Sequence, residues 1–415
     1  MNNNPNQPKE YDAVLGGQTQ PPITGVVLGG IQGVKRRLES PVVKVRVAAL
    51  SDALNYGEAG LDLVIDALKD TALQVQRSAY RLLRQRGGLK ENQVLLDYDP
   101  WQFFTRWEDW KIEYFDPQVG ITDPVGTAYV VEQKSQLRSL LQNPQAKMLE
   151  ALKCEIEDNY WNRRKDFEGF VNTLVAEREQ LPNLKALFIG DSASWNRTDS
   201  RIYLCNLNLL LKAYPELKLL HVRGRIGKSD NPIFKVKSNQ EVVEIRSRVD
   251  GSEVKINPLK HKRLKTLIIE TLDLTDSHIA EICHLQFPTL EYLELWLGRR
   301  HTEKAVQILK PIFSGQSCPN LAYLGLISSE FTDALAKAVA KSSIVERLRI
   351  LDLRRGTLSN RGAMALLDRP GINRLHTLNV SENLIPQNMV EKLSQLNCQL
   401  IAGGQFRDRY YSVWE

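Results

Sequence analysis

The 415-residue chain lacks the features that define several protein classes. No apolar run approaches the ~18–20 residues that span a bilayer, and the first ten residues lack the basic-then-apolar order of a secretory signal. The five cysteines are scattered and form no C-x-x-C pair, which excludes a disulfide scaffold and is typical of a reducing compartment. With 42% hydrophobic and 25% charged residues, the composition is that of a globular protein. We predict a cytoplasmic protein of two or three domains.

Residues with the spacing of catalytic or metal sites are also scarce. None of the six histidines lies in an H-E-x-x-H motif or has a partner at metal-ligand spacing. Cys283 and His284 are adjacent, so on a helix they point in different directions. The sequence contains no G-x-x-x-x-G-K-[ST], no G-x-S-x-G and no G-x-G-x-x-G after a strand. We therefore predict no catalytic residues, no metal, no cofactor and no enzymatic activity.

A repeated leucine frame, L-x-x-L-x-L/I/V, dominates the carboxy-terminal two thirds. Its seven copies begin at Leu184, Leu217, Leu264, Leu290, Leu321, Leu348 and Leu375. The last four spacings lie near the 20–29 residues of a leucine-rich repeat. Helical patterns follow several frames, at residues 302–313, 332–341, 359–367 and 386–396, and an eighth strand is expected at 398–402. Strand-then-helix units predict parallel strands inside an arc with helices outside.

The amino-terminal part has a helical pattern instead. Val45, Ala49 and Leu50 are matched 30 residues later by Val75, Ala79 and Tyr80, and an apolar stripe of Leu61, Val64, Ile65 and Leu68 lies between them. A two-helix unit that recurs in this way resembles a short HEAT-type repeat.

These patterns predict an α/β solenoid, a leucine-rich-repeat horseshoe preceded by a short all-α HEAT-type module. The predicted segments are a mobile Gly-, Pro- and Asn-rich lead at 1–33, helical repeats at 34–90, an aromatic-rich linker with a short strand at 91–133, a leucine-rich-repeat domain at 134–402 with a basic insertion at 228–257, and a capping tail at 403–415. The repeat domain is expected to open with helices at about 134–156 and 164–180.

The aromatic-rich linker contains eight aromatic residues within 18 positions, from Tyr98 to Phe115. Such a cluster could stack nucleic-acid bases, but stacking surfaces alternate with Lys and Arg. Here the interleaved charges include Glu108, Asp109, Glu113 and Asp116, so we interpret the cluster as a hydrophobic core.

The leucine frames carry a resemblance to an uncharacterised bacterial family of leucine-rich proteins with ribonuclease-inhibitor-like repeats. The residues that carry it are LPNLKALFIGD (181–191), LELWLG (293–298), RLRILDLRRGTLSNRGAMALL (347–367) and RYYSV (409–413). Residues 11–131 resemble an amino-terminal module of cyanobacterial repeat proteins. The resemblance implies the fold and a cyanobacterial cytoplasm, with no established activity. Short HEAT repeats also occur in bilin lyases, which suggests the alternative of an accessory or chaperone in phycobiliprotein maturation.

The inner face of the predicted horseshoe is the expected binding site. Side chains between the frame leucines alternate to that face, and they combine apolar and aromatic groups with a charged rim, as protein-binding surfaces do. We predict that a protein or peptide binds Phe188, Arg223, Ile268, Glu270, Tyr292, Glu294, Trp296, Tyr323, Ile327, Asp352 and Arg354. Anchors would be Tyr292, Trp296 and Tyr323. Alternatively, the chain's own amino-terminal module or the 228–257 insertion fills this face. Either way, the chain is interpreted as a scaffold or adaptor.

Within the insertion, the alternating residues at 234–237 and 241–248 predict strands, and Asp250-Gly251 predicts a turn. Residues 218–265 contain 13 Lys and Arg against 5 Asp and Glu. A nucleic-acid-binding accessory is therefore a third hypothesis, and its basic patch would comprise Lys235, Lys237, Arg246, Arg248, Lys260, Lys262 and Arg263.

Overall fold

The computed structural model describes residues 30–86, 88–96, 101, 104–156, 166–191, 203–204, 207–226, 243–246, 253–256, 260–272, 274–298 and 301–406. The chain divides into two compact units, residues 1–103 and residues 104–415. Among the described residues, no helix combines the length and the apolar character needed to cross a membrane.

The first unit is helical, as predicted. Its helices are α1 (Gly30–Leu38), α2 (Val43–Ala53), α3 (Gly57–Asp66), α4 (Leu73–Arg86) and α5 (Leu89–Leu96). The repeated positions Ala49 and Leu50 on α2 and Val75 and Ala79 on α4 are all buried in one core with Val64 of α3. Helix α1 begins before residue 34 and buries Ile31 in this core, so the order extends into the segment interpreted as a mobile lead.

The second unit is built on a parallel sheet of eleven strands in the described part of the chain. In spatial order these are β1 (Lys111–Tyr114), β2 (Thr127–Val131), β3 (Ala151–Ile156), β4 (Ala186–Asp191), β6 (Leu219–Arg223), β10 (Thr266–Glu270), β11 (Tyr292–Gly298), β12 (Tyr323–Ser329), β13 (Ile350–Asp352), β14 (Thr377–Asn379) and β15 (Gln399–Ile401). Two smaller sheets pair β5 (Tyr203–Leu204) with β7 (Arg225–Ile226) in parallel and β8 (Val243–Arg246) with β9 (Glu253–Ile256) in antiparallel.

Helices follow the strands and cover one face of the large sheet. They are α6 (Lys134–Gln142), α7 (Asp166–Ala176), α8 (Asn208–Ala213), α9 (Asp276–Cys283), α10 (Ala305–Ile308), α11 (Lys310–Phe313), α12 (Thr332–Lys341), α13 (Asn360–Leu367) and α14 (Gln387–Leu393). The frame leucines are buried against them in one continuous core. The α/β solenoid of leucine-rich-repeat type is thereby confirmed, including the eighth strand, β15.

The predicted start of the repeat domain needs a correction. Residues 151–156 form strand β3, whereas the sequence predicted a helix through residue 156. Leu149-x-x-Leu152-x-Cys154 is a leucine frame in which cysteine replaces the last aliphatic residue, and Cys154 pairs in register with Ile189. A buried free cysteine packs as a small hydrophobe, so it can replace the last aliphatic residue of the frame. The repeat was missed because the predicted frame allowed only Leu, Ile or Val at that position. Strands β1 and β2 extend the sheet further, into the segment interpreted as a linker.

Asn383 fixes the turn that follows β14. Its fully buried side-chain amide donates to the carbonyls of Leu353, Val380 and Ser381, and its Oδ1 accepts from the amides of Gly356 and Leu358. One side chain therefore satisfies backbone groups of two successive repeats, which polar groups in a dry interior require.

We predict that Asn383→Ala lowers the free energy of unfolding by at least about 3 kcal/mol, because several buried backbone groups lose their partner at once. Urea denaturation measures the loss. Asn388→Ala on the exposed surface of α14 is the control and should change stability by less than about 0.5 kcal/mol. Equal losses would contradict this role of Asn383.

Candidate protein-binding face

The sheet face opposite the helices is called the inner face here, and its side chains form three rows across the strands. The first row is Ala128, Ala151, Ala186, Leu219, Thr266, Tyr292, Tyr323, Ile350 and Thr377. The second row is Val130, Lys153, Phe188, His221, Ile268, Glu294, Gly325, Asp352 and Asn379. The third row comprises Glu155, Gly190, Arg223, Glu270, Trp296, Ile327 and, two residues past the end of β13, Arg354.

A short piece of the chain itself, residues 104–110, lies across the first row; we call it the crossing segment. Phe104 packs edge-on against Tyr292 and Tyr323, with ring centroids 5.3 and 6.1 Å away. The Thr105 carbonyl accepts a 2.8 Å hydrogen bond from Thr266 Oγ1. The crossing segment is thus anchored on β10, β11 and β12.

The crossing segment continues over the other half of the sheet. Trp107 and Trp110 pack on an apolar patch formed by Ala128, Ala151, Ala186 and Leu219. Because three neighbouring first-row side chains are only methyl groups, two indole rings have room to pack against the sheet. Trp107 also meets Phe188 edge-on at 6.5 Å, and strand β1 begins directly after Trp110.

This cover changes which predicted residues can contact a partner. Six of the residues predicted to contact a partner are buried: Phe188, Tyr292, Glu294, Tyr323, Ile327 and Asp352. Alternation of side chains gives the face on which a residue lies but not what covers that face. The chain does cover part of its own inner face, yet with the crossing segment, which lies in the segment interpreted as a linker. The role of the predicted residues in binding a partner stays a prediction.

Tyr292 and Tyr323 form a stacked pair beneath Phe104, with ring centroids 3.8 Å apart. Tyr292 Oη donates to Glu294 Oε2 at 2.6 Å, and Tyr323 Oη lies 3.1 Å from both Glu294 Oε2 and Asp352 Oδ2. Burial, followed by the charge of Glu294, raises the pKa of both phenols well above its ordinary range. Both hydroxyls therefore stay protonated and act as donors to the two carboxylates.

Gly325 makes this arrangement possible. A Cβ atom at this position would lie 3.0 Å from the ring and the hydroxyl of Tyr323 and 3.3 Å from Glu294. The missing side chain lets the phenol lie over β12 and reach both acids. In the sequence Gly325 is a glycine among larger inner-face residues, but no structural role was predicted for it.

Arg354 compensates the charge of the two acids. Its guanidinium donates to Asp352 Oδ2 and lies 3.4 Å from Glu294 Oε1, while Asn379 Nδ2 donates to Asp352 at 3.2 Å. Burial raises the pKa of Asp352, and the guanidinium opposes that effect. Burial alone would lower the pKa of Arg354, but Asp352 and Glu294 outweigh it and raise that pKa. Such a buried pair keeps its charges only while both partners are present.

Trp296 is the half-buried aromatic residue at the centre of the third row. Its Nε1 donates to Glu294 Oε1 at 2.7 Å, and the guanidiniums of Arg354 and Arg355 lie 5.8 and 5.6 Å from its ring. Arg355 also pairs with Glu382 at 3.1 Å. Arg355 was not among the predicted residues, because it follows the third row in a left-handed turn with φ 60° that alternation does not describe.

A second charged cluster lies on the neighbouring strands. Glu270 Oε2 accepts from Arg223 Nε at 2.7 Å and lies 3.2 Å from His221 Nε2. The His221 ring packs edge-on against Phe188 at 4.8 Å, with Arg223 over the same phenyl ring. Burial alone would raise the pKa of Glu270, but His221 and Arg223 outweigh burial and lower it to about 2.

The inner face combines buried aromatic residues with partly exposed charged groups. The residues that the structure describes include no cluster of three or more His, Cys, Asp or Glu side chains able to hold a metal ion. Oriented guanidiniums, carboxylates and a half-buried indole can bind charged and aromatic groups of a partner.

The predicted basic patch is described only in part. Lys260, Lys262 and Arg263 are exposed, and Arg246 ends strand β8. Strand β8 lies within the predicted strand at 241–248 and pairs antiparallel with β9, whereas the predicted strand at 234–237 and the predicted turn at Asp250-Gly251 lie outside the described residues. Lys235, Lys237 and Arg248 lie outside the described residues, so a nucleic-acid role for this patch stays a prediction.

We predict that Phe104→Ala destabilises the protein by about 3–5 kcal/mol, because a fully buried ring leaves a cavity over the tyrosine pair. The control is Phe406→Ala, whose ring is 40% exposed and should cost less than about 1 kcal/mol. Urea denaturation compares the two variants. A small loss for Phe104→Ala would show that the crossing segment is not a firm part of the inner face.

The lowered pKa of Glu270 predicts that the free energy of unfolding depends on pH. Its pKa falls from an ordinary 4.5 to about 2 on folding, so its contribution of about 3 kcal/mol is present above pH 4.5 and is lost as the pH falls toward 2. Glu270→Gln should therefore destabilise the protein at about pH 6, with the difference from the native chain narrowing by about 2 kcal/mol at about pH 3. Urea denaturation at both pH values tests this.

The matched control is Glu216→Gln, whose exposed carboxylate lies 3.6 Å from exposed Arg263. Exposed pairs contribute little, so this variant should follow the native chain at both pH values. A constant difference between Glu270→Gln and the native chain would contradict the assignment.

Comparisons with known proteins agree with the fold. No protein-family model matches this chain, and no curated protein matches it. A crystal structure of a Bacteroides fragilis protein is similar with a TM-score of 0.53 and 22% identity, over 66% of this chain and 71% of that one. An internalin of Listeria monocytogenes gives 0.34 and 15%, over 68% and 60%. The yeast Rad7–Elc1 complex structure gives 0.26 and 12%, over 90% and 98%. The Bacteroides likeness shows the fold alone, an α/β solenoid of parallel strands.

Proposed function

We propose that this chain is a non-enzymatic protein-binding scaffold whose partner contacts the third row of the inner face. The observation that carries the proposal is Trp296, which is half-buried and has two guanidiniums within 6 Å of its ring centroid. Tryptophan and arginine are the residues on which binding energy concentrates at protein interfaces.

The surroundings of Trp296 support its role as an anchor. Its ring nitrogen is bonded to Glu294, and both of its cationic neighbours are themselves paired with acids. An aromatic side chain fixed in this way loses little rotational freedom on binding, which lowers the cost of association.

Residues of the first and second rows then hold the Trp296 side chain in position. Tyr292, Tyr323 and Asp352 are too buried to touch a partner, but through Glu294 and Arg354 they determine where the indole lies. Arg223, Glu270 and Ile268 are partly exposed on β6 and β10 and extend the proposed contact surface. The proposed partner surface is therefore Arg223, Ile268, Glu270, Trp296, Arg354 and Arg355.

We predict that Trp296→Ala weakens partner binding at least tenfold, the loss of about 1.4 kcal/mol or more that a binding hot spot carries. Affinity capture from extract of the source cells, with quantitative mass spectrometry, identifies proteins held by the native chain. Purified partner and chain are then titrated to give the dissociation constant.

Met364→Ala, on the exposed surface of α13, is the matched control and should bind as the native chain does. Both variants should keep the native unfolding midpoint within a few degrees. Undiminished binding by Trp296→Ala would overturn the proposed site. Recovery of nucleic acid alone, released by salt, would favour the basic patch instead.

A further inference from the structure

Strand β1 is an edge strand of the large sheet in the described part of the chain. Among the described residues it pairs only with β2. The backbone amide of Lys111 donates to the carbonyl of Gly126 at 2.9 Å, and the amide of Phe115 donates to the carbonyl of Val130 at 2.8 Å. In a strand alternate residues direct their backbone groups to opposite sides, so the N–H and C=O groups of Ile112 and Tyr114 point away from β2.

The side chains at this edge are unusually apolar for an open strand. Ile112 is 48% exposed and Tyr114 is 65% exposed. Both lie on the inner-face side, in register with Ala128 and Val130. Exposed edge strands with apolar side chains are templates for pairing with another strand.

We propose that β1 pairs with β1 of a second copy of this chain, antiparallel and with Ile112 on the two-fold axis. A two-fold axis perpendicular to the sheet brings an edge strand onto its own copy only in the antiparallel direction. Residues with outward backbone groups must oppose each other. The axis therefore passes through one residue of β1. An axis through Lys111 or Glu113 would set that charged residue opposite its own copy, where like charges repel, which leaves Ile112 and Tyr114.

Charge decides between the two registers. With Ile112 on the axis, Lys111 opposes the partner's Glu113 and Glu113 opposes the partner's Lys111. Two opposite-charge pairs then form on one face, where directly opposed side chains interact. With Tyr114 on the axis, Ile112 would oppose the partner's Asp116 and Glu113 would oppose the partner's Phe115. The register centred on Ile112 is the self-complementary one.

The residues beside the strand fit the same register. Tyr114 opposes the partner's Trp110, and Trp110 already has an extended backbone with φ −127° and ψ 145°. Opposed aromatic residues are a favourable cross-strand pair. The Trp110 carbonyl can accept the outward amide of the partner's Tyr114. The pairing therefore extends over the whole of β1 and one residue before it.

Charge reversal in the full-length chain tests this register. Lys111→Glu places acids opposite each other, and Glu113→Lys places lysines opposite each other. Each variant alone should raise the dimer dissociation constant at least about tenfold, while the native chain sediments at twice its mass of 47.2 kDa. Lys147→Glu, an exposed change away from β1, is the control and should remain dimeric.

Mixing the two variants is the decisive measurement. A dimer of one Lys111→Glu chain with one Glu113→Lys chain restores both opposite-charge pairs, so the mixture should regain the native dimer. A native chain that stays monomeric up to high concentration, a dimer indifferent to both variants, no rescue in the mixture, or masses growing beyond two chains would each overturn the proposal.

A covalent probe gives an independent readout in an otherwise native strand. On the two-fold axis the two Cα atoms of Ile112 should be about 5.5 Å apart, within reach of a disulfide. Ile112→Cys should therefore form covalent dimers on mild oxidation. Tyr114→Cys, which opposes Trp110 rather than itself, should form at least about tenfold fewer. Equal crosslinking by both variants would contradict the register.

Discussion

The packing of Phe104 and Trp107 on the inner face is the interaction on which the candidate site depends. It covers first-row residues from Ala128 to Tyr323 and the edge of Phe188, and Phe104 packs on the tyrosine pair whose hydroxyls bond to Glu294 and Asp352. Because those acids in turn hold Arg354 and the ring nitrogen of Trp296, the positions of these two partly exposed third-row side chains follow from a cover two rows away.

This arrangement resolves an apparent conflict in the sequence. Aromatic residues on a sheet face usually indicate either a core or a binding surface, and here they lie at two different depths. Tyr323 is wholly buried, whereas Trp296 is half-buried two rows, or four residues, further along the strand direction. The difference is made by the crossing segment, which passes over one row and leaves the other open. The partly exposed side chains of the inner face therefore rest on buried side chains that the crossing segment covers.

The periodicity of the sequence predicted the strands and helices whose positions depend on contacts between neighbouring repeats. The leucine frames predicted seven strands and most helices, because each repeat buries its apolar side chains against its neighbours. The Cys154 frame was missed, since a thiol replaces the expected aliphatic group. The cover could not be predicted, because the contact between Thr105 and Thr266 joins residues 161 positions apart and no repeat pattern carries it. Arg355 was missed because its place depends on a turn rather than on strand alternation.

The edge strand and the inner face are connected by symmetry. A two-fold axis through Ile112, perpendicular to the sheet, keeps both inner faces on the same side of a continuous sheet. Two Trp296 anchors would then point the same way, so a partner with two copies of its own binding segment would be held at both. The second contact becomes intramolecular, and its strength depends on the distance between the anchors. Pairing at β1 therefore sets the spacing at which the proposed scaffold holds its partners, while the crossing segment sets the shape of each site.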